Sequence, residues 1–280
     1  MELPFYKIES TLLLKMSDSS WFTHARLFDN LLIVANAATA CFVLKTSEGL
    51  IVIDAIYPKE EMFQAICEAI RDTGWAPEEI RKLVLTHGHF DHCGCGRWIK
   101  EAFHAESYLS QTDDRFWEEH PFMAYKKETL KDYEIDHYVS DGDTISLGDT
   151  EIRVLLTPGH TPGGLSFLFP VYENGEQHMA GMWGGSNPPQ DLSGVSSYLR
   201  SLEYFLERAR REHCDVILCN HPGMDSYSKI EYARTRCSHL PNVYIIGEDG
   251  FGRFCTMYRR LCYDKLDELA GKAARKGWDI

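Results

Sequence analysis

The stretch that decides the fold is LVLTHGHFDH at residues 83–92, where three histidines and an aspartate closely follow an apolar run. His87 and His89 are two residues apart, so at the end of an extended strand their side chains share one side and can hold one metal ion together. Asp91 and His92 follow the bend and can face a second ion. Neutral imidazole and carboxylate are ligands that zinc prefers. The alternative is an exposed polar loop with unrelated histidines, and the clustering after a predicted buried strand argues against it.

Two more segments place a histidine just after an apolar run. TPGHTPGG at residues 157–164 follows VLL, and its two prolines and three glycines predict a tight loop that presents His160. NHPG at residues 220–223 follows VILC and presents His221 in the same way. Three strand ends that each deliver a histidine would gather the ligands on one rim of the sheets.

Strand-like runs alternate with helical patterns along the rest of the chain. Strands are predicted at residues 31–34, 40–45, 50–54, 81–86, 107–110, 150–156, 165–169 and 216–219. Helices are predicted at residues 59–73, 95–103 and 196–211 and over the last 30 residues. This order predicts a single domain over residues 1–280, with helices outside two sheets. Residues 113–135 are rich in charged and aromatic side chains and predict a helical insertion.

The composition narrows the class of protein. The chain has 280 residues, and 29 Lys and Arg against 42 Asp and Glu give a net charge of −13. That acidic balance argues against nucleic-acid binding, which needs basic groups to neutralise phosphates. No apolar run reaches the roughly 18 residues of a membrane span, and the first residues lack the pattern of a secretory signal. The nine cysteines are scattered, as free thiols in a reducing compartment are. We expect a cytoplasmic protein with a small-molecule substrate and neither nucleic-acid nor membrane partners; its oligomeric state stays open.

The three histidine motifs together resemble the metallo-β-lactamase superfamily. The resemblance covers nearly the whole chain, from the segment GLIVID at residues 49–54 to the last helix. It implies an α/β fold, the four-layer αββα sandwich, with one or two zinc ions at one edge. By position it implies that the first zinc is bound by His87, His89 and His160. The second zinc would be bound by Asp91, His92 and His221.

Departures from the family pattern narrow the comparison. Met182 stands where glyoxalase II enzymes have a metal-bridging aspartate, and Ser186 stands where the first β-lactamase subclass has a zinc-binding cysteine. The chain is therefore most similar to the third β-lactamase subclass, and Ser186 is expected behind the ligands or on a water molecule. Asp54 matches a position that braces the histidine loop, with a simple turn residue as an equally weighted alternative. Asn220 is expected to orient His221.

These residues predict a zinc-dependent hydrolase. A metal-bound hydroxide would open a β-lactam or a similar cyclic amide or ester, and Asp91 would act as a catalytic residue by accepting a hydrogen bond from that nucleophile. One alternative is a cytoplasmic housekeeping metallohydrolase of a lactone, thioester or phosphoester, without β-lactamase activity. A second alternative is a non-catalytic metal-binding protein on the same scaffold, which the complete ligand set disfavours. The net charge disfavours a nuclease, and Met182 disfavours a di-iron oxidoreductase.

Overall fold

A computed structural model of the chain describes residues 19–120, 130–225, 227–237 and 239–276, in which twelve strands form two sheets. The first sheet has seven strands in chain order: β1 (Thr23–Phe28), β2 (Leu31–Ala35), β3 (Ala40–Thr46), β4 (Gly49–Ile53), β5 (Ile80–Val84), β6 (Glu106–Leu109) and β7 (His137–Tyr138). The second sheet has the order β12-β11-β10-β9-β8, formed by β8 (Thr144–Leu147), β9 (Thr150–Leu156), β10 (Leu165–Glu173), β11 (Glu176–Trp183) and β12 (Val216–Cys219).

The helices of the described ranges lie on the outer faces of the two sheets and at one end of the sandwich. They are α1 (Glu60–Asp72), α2 (Phe90–Cys93), α3 (Gly96–Phe103), α4 (Gln111–Glu119), α5 (Leu192–Arg211), α6 (Pro222–Asp225), α7 (Tyr227–Thr235) and α8 (Gly247–Lys276), with a 3-10 turn at Pro77–Glu79. None of these helices is both long enough and apolar enough to cross a bilayer.

Three hydrophobic layers hold these elements together. Between the sheets lie residues such as Phe42, Ile53 and Phe167, all fully buried. A second layer packs α1 and α3 on the first sheet, and a third packs α5 and α8 on the second sheet. The arrangement is the predicted α/β fold with helices outside two sheets, four layers in all.

In the first sheet the strand pairing changes from antiparallel to parallel at β4, and the first histidine motif follows the parallel strand β5. Strands β1 to β4 form an antiparallel meander, whereas β4, β5, β6 and β7 run parallel. Parallel neighbours need helical crossovers, and α1 makes the one between β4 and β5. Its buried side chains Met62, Ile66 and Ile70 repeat at helical spacing, and Glu60 and Glu61 favour its N-terminus electrostatically.

The predicted elements agree with the structure closely, with physical reasons for the exceptions. β9 and β12 have the predicted bounds, and β10 runs past the predicted end at Phe169 to Glu173. Pro170 is tolerated there because pairing with β9 ends at Leu168, so the strand continues beside β11 alone. The strands β1, β7, β8 and β11 were not predicted.

The predicted helical insertion at residues 113–135 is helical at its beginning. α4 ends at Glu119, residues 121–129 lie outside the described residues, and residues 130–135 are irregular. Asp114 on α4 binds the amino group of Lys131 at 3.0 Å and accepts a hydrogen bond from Tyr138 at 2.9 Å. The end of the segment is thereby fixed to its first helix.

Candidate metal centre

Loops from both sheets meet at one edge of the sandwich. The loop after β5 carries His87 and His89, the short helix α2 that follows it carries Asp91 and His92, the loop after β9 carries His160, and His221 follows β12. Two main-chain hydrogen bonds join the sheets here, from Leu165 N to Thr86 O at 2.7 Å and from Ala40 N to Asn220 O at 2.8 Å. The strand ends therefore bring together residues that are up to 134 positions apart (221 − 87 = 134).

The first group consists of His87, His89 and His160. Its candidate ligand atoms all lie within 4.8 Å of one another, and its ring centroids are 4.8 to 4.9 Å apart. His87 Nδ1 lies 2.9 Å from Thr86 Oγ1, and His160 Nδ1 lies 2.8 Å from Asn187 O. Because the carbonyl of Asn187 can only accept, His160 carries its hydrogen on Nδ1 and has its Nε2 lone pair available.

One buried nitrogen tests whether this group fits a metal. His87 is fully buried, and its Nε2 has no hydrogen-bond partner among the described residues. A buried polar atom without a partner is costly, so such atoms usually mark a bound ion or water. Zinc, which binds neutral imidazole at about 2.0–2.1 Å, fits this atom and the two rings beside it.

The second group consists of Asp91, His92 and His221. His92 Nε2 lies 3.1 Å from His221 Nε2 and 3.4 Å from Asp91 Oδ2, and His221 Nε2 lies 3.8 Å from the same oxygen. Ligands about 2.05 Å from a tetrahedral zinc are about 3.4 Å apart, so these three atoms are spaced to share one ion. The rings of His87 and His92 are 4.1 Å apart, which makes the two groups neighbours.

The electrostatic surroundings keep the first group neutral. Burial lowers the pKa of His87 well below its usual range, lowers the pKa of His89 to about 3, and lowers the pKa of His160. The neighbouring imidazoles act in the same direction on each of the three. These rings are therefore in the uncharged form, which is the form that binds zinc.

In the second group His92 favours a positive charge instead, whereas burial and the neighbouring His92 lower the pKa of His221 to about 4. Burial lowers the pKa of His92, but the carboxylates of Asp91 and Asp54 outweigh it and raise the pKa to about 10. Burial also raises the pKa of Asp91, and His92 and His221 overcome this and hold the pKa well below the usual range. A positive charge between the two carboxylates is therefore stabilised. Either a zinc ion or a proton on His92 can provide that charge.

Asp54 braces the loop from beneath. It is fully buried, with φ at 61°, a left-handed conformation that aspartate tolerates better than most residues. Its carboxylate accepts hydrogen bonds from Thr86 N at 2.8 Å, from Thr86 Oγ1 at 2.9 Å and from His92 Nδ1 at 2.8 Å. One carboxylate therefore contacts a ligand of the second group directly and reaches His87 of the first group through Thr86.

Asn220 and Ser186 lie one step behind the ligands. Asn220 donates to Asp54 Oδ2 and to Gly184 O, each at 3.1 Å, and accepts from Ser186 Oγ at 2.9 Å. We expected Asn220 to orient His221, but the structure turns it towards Asp54. The Nδ1 of His221 donates to Ala38 O at 2.9 Å instead.

Several contacts of this site were not predicted. The contact of Thr86 could have been predicted, because Thr86 directly precedes His87 in the sequence. The contacts of Ala38 and Asn187 could not, because they use main-chain carbonyls, which every residue type has. Met182, in place of the family's bridging aspartate, is fully buried in the core between the sheets and pairs with Phe167 and Leu218.

Comparisons with known proteins agree with this geometry. Residues 36–173 match the metallo-beta-lactamase superfamily. A hydroxyacylglutathione hydrolase of Chelativorans sp. (strain BNC1) is 37% identical over 106 residues, which are 38% of this chain and 34% of that protein. The first curated relatives are covered over only 34% to 50% of their own length.

Similarity to solved structures extends over nearly the whole chain. The chain superposes on BJP-1, a subclass B3 metallo-beta-lactamase of Bradyrhizobium japonicum, with a TM-score of 0.77 and 25% identity, covering 94% of this chain and 98% of that one. It also has the fold of LRA-12, a class B3 di-zinc metallo-beta-lactamase from an Alaskan soil metagenome, with a TM-score of 0.72, 20% identity and coverage of 89% and 97%. With both candidate ligand groups in place, the chain matches the metallo-beta-lactamase superfamily in sequence over residues 36–173 and in fold over nearly its whole length.

Proposed function

We propose that the protein is a zinc-dependent hydrolase that opens a β-lactam or a similar cyclic amide or ester. The observation that carries this proposal is the complete set of six donor side chains in two adjacent groups. Each group contains donors from both sheets. We propose that the first group holds one zinc ion and the second group holds another.

Zinc, when bound, supplies a Lewis acid that lowers the pKa of a water molecule from 15.7 to about 7 and polarises a carbonyl. The residues of the chain do the rest. Asp91 remains ionised and only 4% exposed, so its carboxylate can accept the proton or hydrogen bond of an attacking water. We propose this catalytic role for Asp91. Asp54, Thr86 and Asn220 would keep the imidazoles in the tautomers that coordination requires.

Two observations bear on the substrate. The similarity to BJP-1 over nearly the whole of both chains favours a β-lactam or another cyclic amide. The similarity to a hydroxyacylglutathione hydrolase, confined to 106 residues, favours the alternative of a housekeeping hydrolase of a lactone, thioester or phosphoester. We give the β-lactam reaction precedence because the structural match covers 94% of this chain, whereas the match to the hydroxyacylglutathione hydrolase covers 38% of it.

We also propose that the enzyme works in the cytoplasm. All nine cysteines lie in the described ranges and are free thiols, and eight of them are buried. Such thiols persist in a reducing compartment.

The experiment is hydrolysis of a chromogenic cephalosporin by protein with two zinc ions bound, with and without a chelator. Turnover that the chelator abolishes and zinc restores supports the proposal. His160→Ala should remove a first-group ligand and with it the activity, so full activity in this variant would refute the ligand assignment. Absence of turnover in the two-zinc protein would transfer the proposal to lactones, thioesters and phosphoesters, which are assayed next.

A further inference from the structure

The N-terminus of α4 packs between the two loops that carry the first group, His87, His89 and His160. A Cβ at Gly88, between His87 and His89, would lie 2.5 Å from Asp113 O. A Cβ at Gly163, on the loop of His160, would lie 2.4 Å from Ser110 Oγ. Both loops therefore approach the same helix start so closely that only glycine fits on either side.

The carboxylate of Asp113 is bonded to both loops. It is fully buried and accepts hydrogen bonds from Gly88 N at 2.9 Å, from Thr161 Oγ1 at 2.7 Å and from Gly163 N at 2.6 Å. One of these donors lies between the two histidines of the first loop. The other two lie one and three residues after His160.

We propose that Asp113 is a positioning residue that sets the spacing between His160 and the pair His87 and His89, and so the zinc affinity of the first group. This inference rests on the proposed function, because it assumes that the first group holds zinc. Asp113 does not touch the site itself and acts only through the two loops.

The chemistry of the contact requires an acceptor without a hydrogen of its own. Three donors converge on the two carboxylate oxygens of Asp113, and a carboxylate can accept all three. An amide at this position keeps one acceptor oxygen and turns an NH₂ group towards either Gly163 N or the pair Gly88 N and Thr161 Oγ1. At least one loop would then lose its bond to the helix.

Other hydrogen bonds keep each loop folded when the bonds to the Asp113 carboxylate are weakened. Leu165 N donates to Thr86 O at 2.7 Å, and Ser201 Oγ on α5 donates to Pro158 O at 2.7 Å. Ser110 Oγ also donates to Gly163 O at 2.6 Å. Loss of the Asp113 carboxylate is therefore expected to shift the loops relative to each other rather than to unfold them.

The neighbouring aspartate supplies a matched control. Asp114 is also buried, at 3% exposure, but its carboxylate binds Lys131 and Tyr138 and not the histidine loops. Asp113→Asn and Asp114→Asn make the same chemical change one residue apart. A difference between them reports the connection to the loops rather than the loss of a buried charge.

The experiment measures zinc affinity of the metal-free, full-length protein by competition with a chromophoric chelator, and records the visible absorption spectrum after substitution with Co²⁺. For Asp113→Asn we expect the affinity of one of the two sites to fall by about 10- to 100-fold, as for other residues that orient metal ligands. The Co²⁺ absorption of that site should shift or weaken. Asp114→Asn should keep both affinities and the spectrum of the wild type.

Unchanged affinities and spectrum in Asp113→Asn would overturn the inference and leave the proposed function intact. A wild-type protein that binds no ion at the first group would overturn both. If Asp113→Asn does not fold, Thr161→Val removes one donor while keeping the carboxylate. Its expected loss of affinity is up to about tenfold, and an unchanged affinity would equally overturn the inference.

Discussion

Asp54→Asn is expected to weaken zinc binding at the second group and to destabilise the metal-free chain. Asparagine is the informative replacement because it has nearly the shape of aspartate and tolerates the same left-handed backbone, with φ at 61°. Alanine would add backbone strain that has nothing to do with the metal. The substitution therefore changes one acceptor oxygen into an NH₂ group and little else.

The size of the effect follows from the hydrogen bonds. Thr86 donates to the Asp54 carboxylate with its N–H and its hydroxyl, while the ring of His92 donates from Nδ1. An amide oxygen placed towards Thr86 leaves the NH₂ group facing His92, and an NH₂ group donates where the carboxylate accepted. That arrangement favours the His92 tautomer with its hydrogen on Nε2, the atom that faces the second group. Because Nε2 can then bind zinc only after a tautomer change, we expect the affinity to fall by about 10- to 100-fold, or about 1.4 to 2.7 kcal/mol.

The stability of the chain should fall as well. The reverse orientation of the amide leaves the Thr86 donors unpaired, and an unpaired buried donor costs about 1 to 3 kcal/mol. Urea unfolding of the metal-free protein measures the loss of folding stability, and competition with a chelator measures the loss of zinc affinity. Asp143→Asn is the control, since this exposed aspartate only caps a turn by accepting from Ser140 N. Two wild-type zinc affinities together with an unchanged free energy of unfolding in Asp54→Asn would refute the bracing role.

Three further changes have distinct expected outcomes. Ser186→Ala should keep two zinc ions per chain by elemental analysis, because the hydroxyl contacts Asn220 and not a donor of either group; loss of one ion would show that Ser186 is a ligand. Gly159→Ala should lower the free energy of unfolding by about 1 to 3 kcal/mol in a urea titration, because φ is +145° and the new Cβ would lie 2.5 Å from Tyr198 Cα; a smaller loss is expected for Gly175→Ala, at φ +80° with open space around it. Zinc at 100 times its dissociation constant should stabilise the folded chain by about 2.7 kcal/mol relative to chelated protein, and equal melting temperatures would contradict a folded-state metal site.

The sequence predicts this site well because its donors follow strongly apolar strands. The apolar runs before His87 and His221 are buried, the run before His160 is buried except at Leu156, and a histidine after a strand end is visible without any knowledge of tertiary structure. β11 was missed for the opposite reason: it begins with the polar residues Glu176, Gln177 and His178, and its place is decided by pairing with β10 and β12.

The partners of the histidine Nδ1 atoms show what a single sequence cannot predict. The Ala38 carbonyl reaches His221 from the loop between β2 and β3 of the first sheet, the Asn187 carbonyl reaches His160 from the segment after β11, and every residue type has a carbonyl. Asn220 seemed placed for its neighbour His221, but the two residues follow the end of β12 and bind different partners, since His221 Nδ1 donates to the Ala38 carbonyl. Asn220 accordingly faces Asp54, on the first sheet.

The two donor groups connect the fold to the chemistry in the same way. Each group takes two donors from the segment after β5, on the first sheet, which includes the short helix α2. The third donor comes from the second sheet: His160 for the first group and His221 for the second. A zinc ion in either group would therefore cross-link the sheets, and its binding free energy would be free energy of folding as well. Asp113 and Asp54 act on different sides of this arrangement, since Asp113 joins the loops of the first group while Asp54 orients His92 of the second. Asp113→Asn and Asp54→Asn should consequently weaken different ions. A double variant should show nearly additive losses, because the two carboxylates share no hydrogen-bond partner among the residues that the structure describes.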